Sequence, residues 1–197
     1  MYDAVRTYLD QVALEFDQIP AERISVLNGL AKFYRSSESK SFIFICTHNS
    51  RRSHLAQIWG AAACDYHGIK RIASFSGGTE ATAMSMHIVD ALERAGLQVE
   101  GKSGENPRYS VRWGEMEGTS CWSKTYFDAA NPTAKFCAVL TCTEADQGCP
   151  AVLGASARIA LPYIDPKISD GTPSEALSYD ARCRQIAREM LYAFGQI

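Results

Sequence analysis

The chain opens with apolar residues at helical spacing. Val5, Leu9, Val12 and Phe16 recur every three to four positions, and after Pro20, which suits a first helical turn, Ile24, Leu27, Leu30 and Phe33 continue the period. Two helices forming a hairpin over residues 1–38 are expected, packed on a face or edge of the sheet that follows. A polar run, SSESK, separates them from SFIFIC, a short Phe- and Ile-rich block that reads as a buried strand. A helix begins near Arg52, with Leu55, Ile58, Trp59, Ala62 and Tyr66 on one face, and it turns out at Gly68. RIASFSGG reads as a second strand. A second amphipathic helix over 81–95 places Met84, Ile88, Ala91 and Leu92 inward, with Gly96 just past its end.

This β-α-β-α order predicts a parallel sheet with helices on both faces. From 97 to 135 the pattern dissolves into glycines and aromatics, an irregular segment long enough to point to function. Within it, NPRYSVRW offers two Arg and a Ser for the rim of a site. Two further strands are expected, FCAVLT over 136–141 and RIALPY over 158–163. Thr172, Pro173, Ser174 and Glu175 spell a capping box for a last helix that packs through Leu177, Ile186, Met190 and Leu191. The division expected is a helical extension, 1–38, before one α/β domain, 39–197.

Composition narrows the class. The chain has 197 residues, 46% of them hydrophobic, and a formal net charge of −2, enough for one well-filled core and without the basic stripe a nucleic-acid partner requires. No run of about 20 apolar residues and no signal peptide is visible, so a cytoplasmic protein without a membrane partner is expected. Seven Cys, an odd number without small-scaffold spacing, favour reduced or redox-active thiols over a disulfide framework. His54, His67 and His87 stand singly, without ligand spacing, and read as surface or capping residues.

The chemistry concentrates in CTHNSRRS. Cys46 ends the first strand and Arg52 lies six positions on, so the intervening loop can curl with its N–H groups toward one centre. The helix starting there directs its orphan N–H groups and positive dipole end at the same point. The Arg52 guanidinium adds a two-pronged clamp on an oxyanion. That positive field favours the thiolate form of Cys46, the nucleophile. Asn49 is placed to tie the loop down and Ser53 to donate to the sulfur; the plainer reading is a buried Cys at a strand end. Cys142 and Cys149 follow the third strand at its carboxyl end, where open parallel sheets gather active-site loops, and they can pair if the turn between them is helical or rearranges. Asp165, before Pro166, is held extended after the fourth strand.

The segment CTHNSRRS resembles the phosphate-binding loop of the low-molecular-weight protein tyrosine phosphatases and of the thioredoxin-coupled arsenate reductases built on the same fold, and CTEADQGCP resembles the redox-Cys segment of the reductases. His48 stands where those families usually have a small residue and Arg51 where a Cys or apolar residue is usual, departures that bear on substrate bulk and charge. The resemblance spans about 41–197 and implies four parallel strands in order 2-1-3-4. It implies Cys46 as nucleophile, Arg52 as clamp and Asp165 as general acid. The loop residues Thr47, His48, Asn49, Ser50, Arg51, Arg52 and Ser53 would bind substrate. Cys142 would be the first resolving thiol and Cys149 the second. The function implied is arsenate reduction by a three-thiol relay with thioredoxin as reductant. The alternative is a phosphatase of phosphotyrosine or aryl phosphates acting through a phosphocysteine, and a non-enzymatic oxyanion or redox sensor is a third class. No cofactor is implied; Gln57 stands where the reductases often carry a Glu that helps bind potassium, which argues against a potassium site.

Overall fold

The computed structural model describes residues 1–101, 103–148 and 151–197. Its centre is a four-stranded parallel sheet. Strand β1 (Ser41–Cys46) lies between β2 (Ala73–Gly78) and β6 (Phe136–Leu140), with β7 (Ala155–Ala160) outside β6. Counting only these four, the order is 2-1-3-4, as expected. Every residue of β1 is buried, because a central parallel strand has both faces covered. Its period-two alternation sorts them: Phe42 and Phe44 face one core, with Phe33 and Phe194 set edge-on to Phe42 at 5.2 and 5.7 Å, while Ile43 and Ile45 face the other with Ala138 and Leu140.

The first face carries α3 (Arg52–His67), sandwiched between the sheet and α6 (Glu175–Gly195). A helix so enclosed is not amphipathic: everything from Arg52 to Cys64 is buried, wider than the single apolar face the spacing suggested. The other face is covered by α5 (Thr143–Gly148) together with Tyr126 and Val152. Helices α1 (Asp3–Ala13) and α2 (Ala21–Ser36) form from the predicted periods, joined through a 3-10 turn at Phe16–Gln18. Each lies against α6, and α2 reaches the edge strand β7, so their apolar residues belong to the main core. No helix of the described residues is long and apolar enough to cross a membrane.

Four differences from the sequence reading have physical causes. Residues 97–135 contain a second, antiparallel sheet: β3 (Gln98–Gly101), β4 (Tyr109–Arg112) and β5 (Gly118–Cys121), in that order. Its buried Tyr109, Val111 and Cys121 alternate with exposed or half-exposed neighbours and close onto the main core. The helix expected over 81–95 starts five residues later, as α4 (Met86–Arg94), because residues 79–85 are spent bonding the loop that leaves β1. The fourth strand lies at Ala155–Ala160 rather than 158–163, although Leu161 and Tyr163 still donate backbone bonds to Leu140 and Thr141 on either side of Pro162. The capping box is not made: Thr172 donates to the Ser169 carbonyl and Glu175 accepts from the Gly171 amide at 2.7 Å, so α6 begins after Ser174, and Leu177 is exposed.

Candidate active site

The loop leaving β1 is turned inside out relative to ordinary backbone. The carbonyl of Cys46 accepts from the Thr79 amide at 3.1 Å, that of Thr47 from the Glu80 amide at 3.0 Å, and that of Ser50 from the Ser85 amide at 3.0 Å. The His48 carbonyl accepts from the Ser123 hydroxyl at 2.9 Å and the Thr82 hydroxyl at 3.2 Å. With its carbonyls bound outward, the loop points its amides inward: among the described residues, no N–H from Thr47 to Arg52 has a protein acceptor. Six adjacent orphan donors at a helix N-terminus are a cradle for an oxyanion.

The loop's curvature rests on Asn49, whose φ of 45° is left-handed, a conformation Asn adopts more readily than most residues. Its side chain is locked at both ends, accepting from the Lys124 amide at 2.9 Å and donating to the Ser53 hydroxyl at 2.8 Å. Ser53, already accepting, has its own proton left for the Cys46 sulfur 3.1 Å away.

Arg52 is 6% exposed, with Nη1 donating to the Tyr163 carbonyl at 3.0 Å and Nη2 to Asp165 Oδ2 at 2.8 Å. Its Nε–H is buried without a partner. A buried guanidinium with one nitrogen unpartnered is costly unless a ligand takes it, and the cradle lies beside it. Asp165 is extended (φ −71°, ψ 120°) and also accepts from the Lys167 amide. With Arg52, Glu144 and Tyr163 it lines an open cleft of about 340 Å³.

Cys142 is buried, in one apolar cluster with Cys46. Its sulfur lies 3.5 Å from the Thr47 hydroxyl and accepts from the Ala145 amide at 3.3 Å. Burial pushes its thiol up, while those two donors and the charge of Arg52 pull the other way. Cys46, Arg52, Asp165, Asn49, Ser53 and Cys142 are thus brought together. Cys149 lies outside the described residues.

Other predicted residues sit differently. His48 projects outward and pairs with Glu80 at 2.8 Å, and Arg51 turns away to donate from Nε to the Tyr179 hydroxyl at 3.0 Å. In the NPRYSVRW segment, strand alternation sends Tyr109 and Val111 inward; Arg108 instead covers the Trp122 ring at 3.9 Å and Arg112 pairs with Glu115. Gln57 donates to the Thr119 hydroxyl and the Ser120 carbonyl of β5. His54 is not a surface residue. It is fully buried on α3 against the Ser76 hydroxyl, and burial, with Lys124 nearby, pushes it down to about 3, so it is neutral.

Several residues that hold the loop carried no spacing signal. Ser123 bridges three segments, since it also accepts from the Thr82 amide, and Asn106 clasps its backbone through both amide atoms. Gly78 faces the loop so closely that a Cβ there would be 2.5 Å from the Thr47 carbonyl oxygen and 2.8 Å from the Asn49 nitrogen. The paired glycines Gly77 and Gly78 at the end of β2 were the available clue, since a glycine ending a strand beside a loop often marks close backbone approach.

No protein-family model matches the chain, and no curated protein matches it.

Proposed function

We propose that the protein is an arsenate reductase working by a thiol relay. The observation that carries this reading is the second thiol: Cys142 is buried in one cluster with Cys46, its sulfur against the Thr47 side chain of the anion loop. A site that only hydrolysed phosphoesters would have no use for it. Arsenate enters the amide cradle and engages the free Nε of Arg52. The Cys46 thiolate attacks arsenic, an As–S bond forms, and one As–O bond breaks, with Asp165 supplying the proton that lets the oxygen leave as water. Cys142, as thiolate, then attacks the Cys46 sulfur. An S–S bond forms, the As–S bond breaks, and its electron pair stays on arsenic, which departs as arsenite. Cys149 exchanges into this disulfide, freeing Cys46 and leaving Cys142–Cys149 for an external dithiol of the thioredoxin type to reduce.

A phosphatase of aryl phosphates or phosphotyrosine is the second reading. It is favoured by the extended Asp165 and by Ile164 and Ile168, 69% and 83% exposed on either side of it, which suit an aromatic leaving group. The two separate in one comparison: oxidation of thioredoxin driven by arsenate against release of phenol from aryl phosphates. Arsenate-dependent thioredoxin oxidation at a rate exceeding aryl-phosphate turnover is expected. An enzyme that releases phenol but oxidises no thioredoxin is a phosphatase.

A further inference from the structure

Arg51 is the departure in the loop that the reaction above leaves unused. Its guanidinium turns from the cradle toward Asp165, with Nε at an ion-pair distance of 3.9 Å from Oδ1, the oxygen that also accepts from the Lys167 amide at 3.1 Å, while Arg52 holds Oδ2. What fixes it there is Tyr179, in the second turn of α6. The Tyr179 hydroxyl accepts from Arg51 Nε at 3.0 Å and donates to Asp170 Oδ1 at 2.8 Å. Both capacities of that hydroxyl are therefore used, and its ring is fully buried, packed against His87 at 4.9 Å. Burial and the bond to Asp170 push the phenol up, so it remains an O–H donor at neutral pH.

We propose that Tyr179 is a positioning residue for Asp165, acting through Arg51. The carboxylate is then oriented from two sides. Arg52 holds Oδ2, but Arg52 must also serve the oxyanion, whose arrival competes for the same guanidinium. Arg51, anchored on α6 and turned out of the cradle, does not face that competition, so Asp165 keeps its direction when substrate binds. Asp170 completes the chain by orienting the Tyr179 hydroxyl, so the far end of the 165–170 loop is bonded to Tyr179 directly and its near end faces Tyr179 through Arg51. An acid placed by rigid neighbours transfers its proton from the productive geometry, whereas a loosely held one loses rate without losing binding.

This inference rests on the proposed role of Asp165. It is tested by a double-mutant cycle of Tyr179→Phe and Asp165→Asn, with phenyl phosphate (poor leaving group), p-nitrophenyl phosphate (good leaving group) and arsenate as substrates. Tyr179→Phe removes one hydroxyl and keeps the ring. Its expected effect is a drop in kcat of about five-fold on phenyl phosphate and under two-fold on p-nitrophenyl phosphate, with KM unchanged. In the Asp165→Asn background the same change is expected to do nothing further, since its route to the chemistry is gone. Arg51→Gln is expected to reproduce the Tyr179→Phe pattern. Equal losses on both esters, additivity in the cycle, or no loss at all overturn the inference while leaving the proposed function standing. A parent protein that turns over none of the three substrates overturns the proposed function and this inference with it.

Discussion

At the scale of single residues, the site is decided by which polar groups are spent and which are left over. Asn49 spends both ends of its amide, Ser53 is left one proton for Cys46, and Arg52 is left one nitrogen, Nε, without a partner. His54, directly behind this loop, offers a test that needs no substrate. Held neutral by burial, it is pushed down to about 3 from an ordinary value of 6.5. Its folded value lies below its unfolded one, so the unfolded chain binds the extra proton between them. The stability it permits is complete above about pH 6.5 and is lost as pH falls toward 3. The parent is expected to lose about 1.4 kcal/mol more than His54→Gln between pH 7.5 and 5.5 in denaturant titrations. Equal pH slopes in the two proteins would mean that His54 is accessible to protons in the folded state. The sequence showed the exposed and buried histidines alike, as single residues without partners. Burial of His54 follows from α3 being enclosed by both the sheet and α6, which the 3.6-residue period cannot reveal.

At the scale of elements, β1, the loop and α3 were legible because an apolar block, a polar loop and a helical period follow one another without interruption. The inserted sheet was not. Its strands have four residues each, and β5 (GTSC) holds no large apolar side chain, so neither period-two alternation nor β-propensity rose above the surrounding glycines. The start of α4 was misread for another reason: residues 81–85 carry helix-compatible side chains, but Thr82 and Ser85 give their amides to Ser123 and to the loop. Tertiary bonding overrode local preference there, as it did at the unmade capping box. The insertion and residues 79–85 therefore act as the outer wall of the cradle, and Gly78 is where the wall is thinnest. Gly78→Ala is expected to displace the Thr47 and Glu80 carbonyls, to destabilise the fold by about 1–3 kcal/mol and to weaken inorganic phosphate binding at least ten-fold by calorimetry. Gly148→Ala, where a Cβ meets nothing within 4 Å, is the control and should bind phosphate as the parent does. Unchanged phosphate affinity in Gly78→Ala would show that the loop is not held by the close approach described.

At the scale of the whole molecule, one sheet end gathers Cys46, Cys142 and Asp165, the described residues to which the proposed reaction assigns its thiols and its acid. Cys46 ends β1, Cys142 follows β6 and Asp165 follows β7, so the parallel order 2-1-3-4 itself brings the three side chains to one edge. That convergence was readable from strand order and loop chemistry alone, although the roles of Arg51 and Tyr179 were not, because their contact joins residues 128 apart in the chain. The helices α1 and α2 pack against α6, and α6 reaches the site through Tyr179. The proposed resolution of the arsenic adduct on Cys46 by Cys142 is tested by disulfide mapping, using mass spectrometry after arsenate treatment of the Cys149→Ser variant. With the final thiol removed, the relay should stop after one arsenite per protein, with Cys46 joined to Cys142. A variant that yields arsenite with no Cys46–Cys142 disulfide, or that continues to turn over at the parent rate, would contradict it.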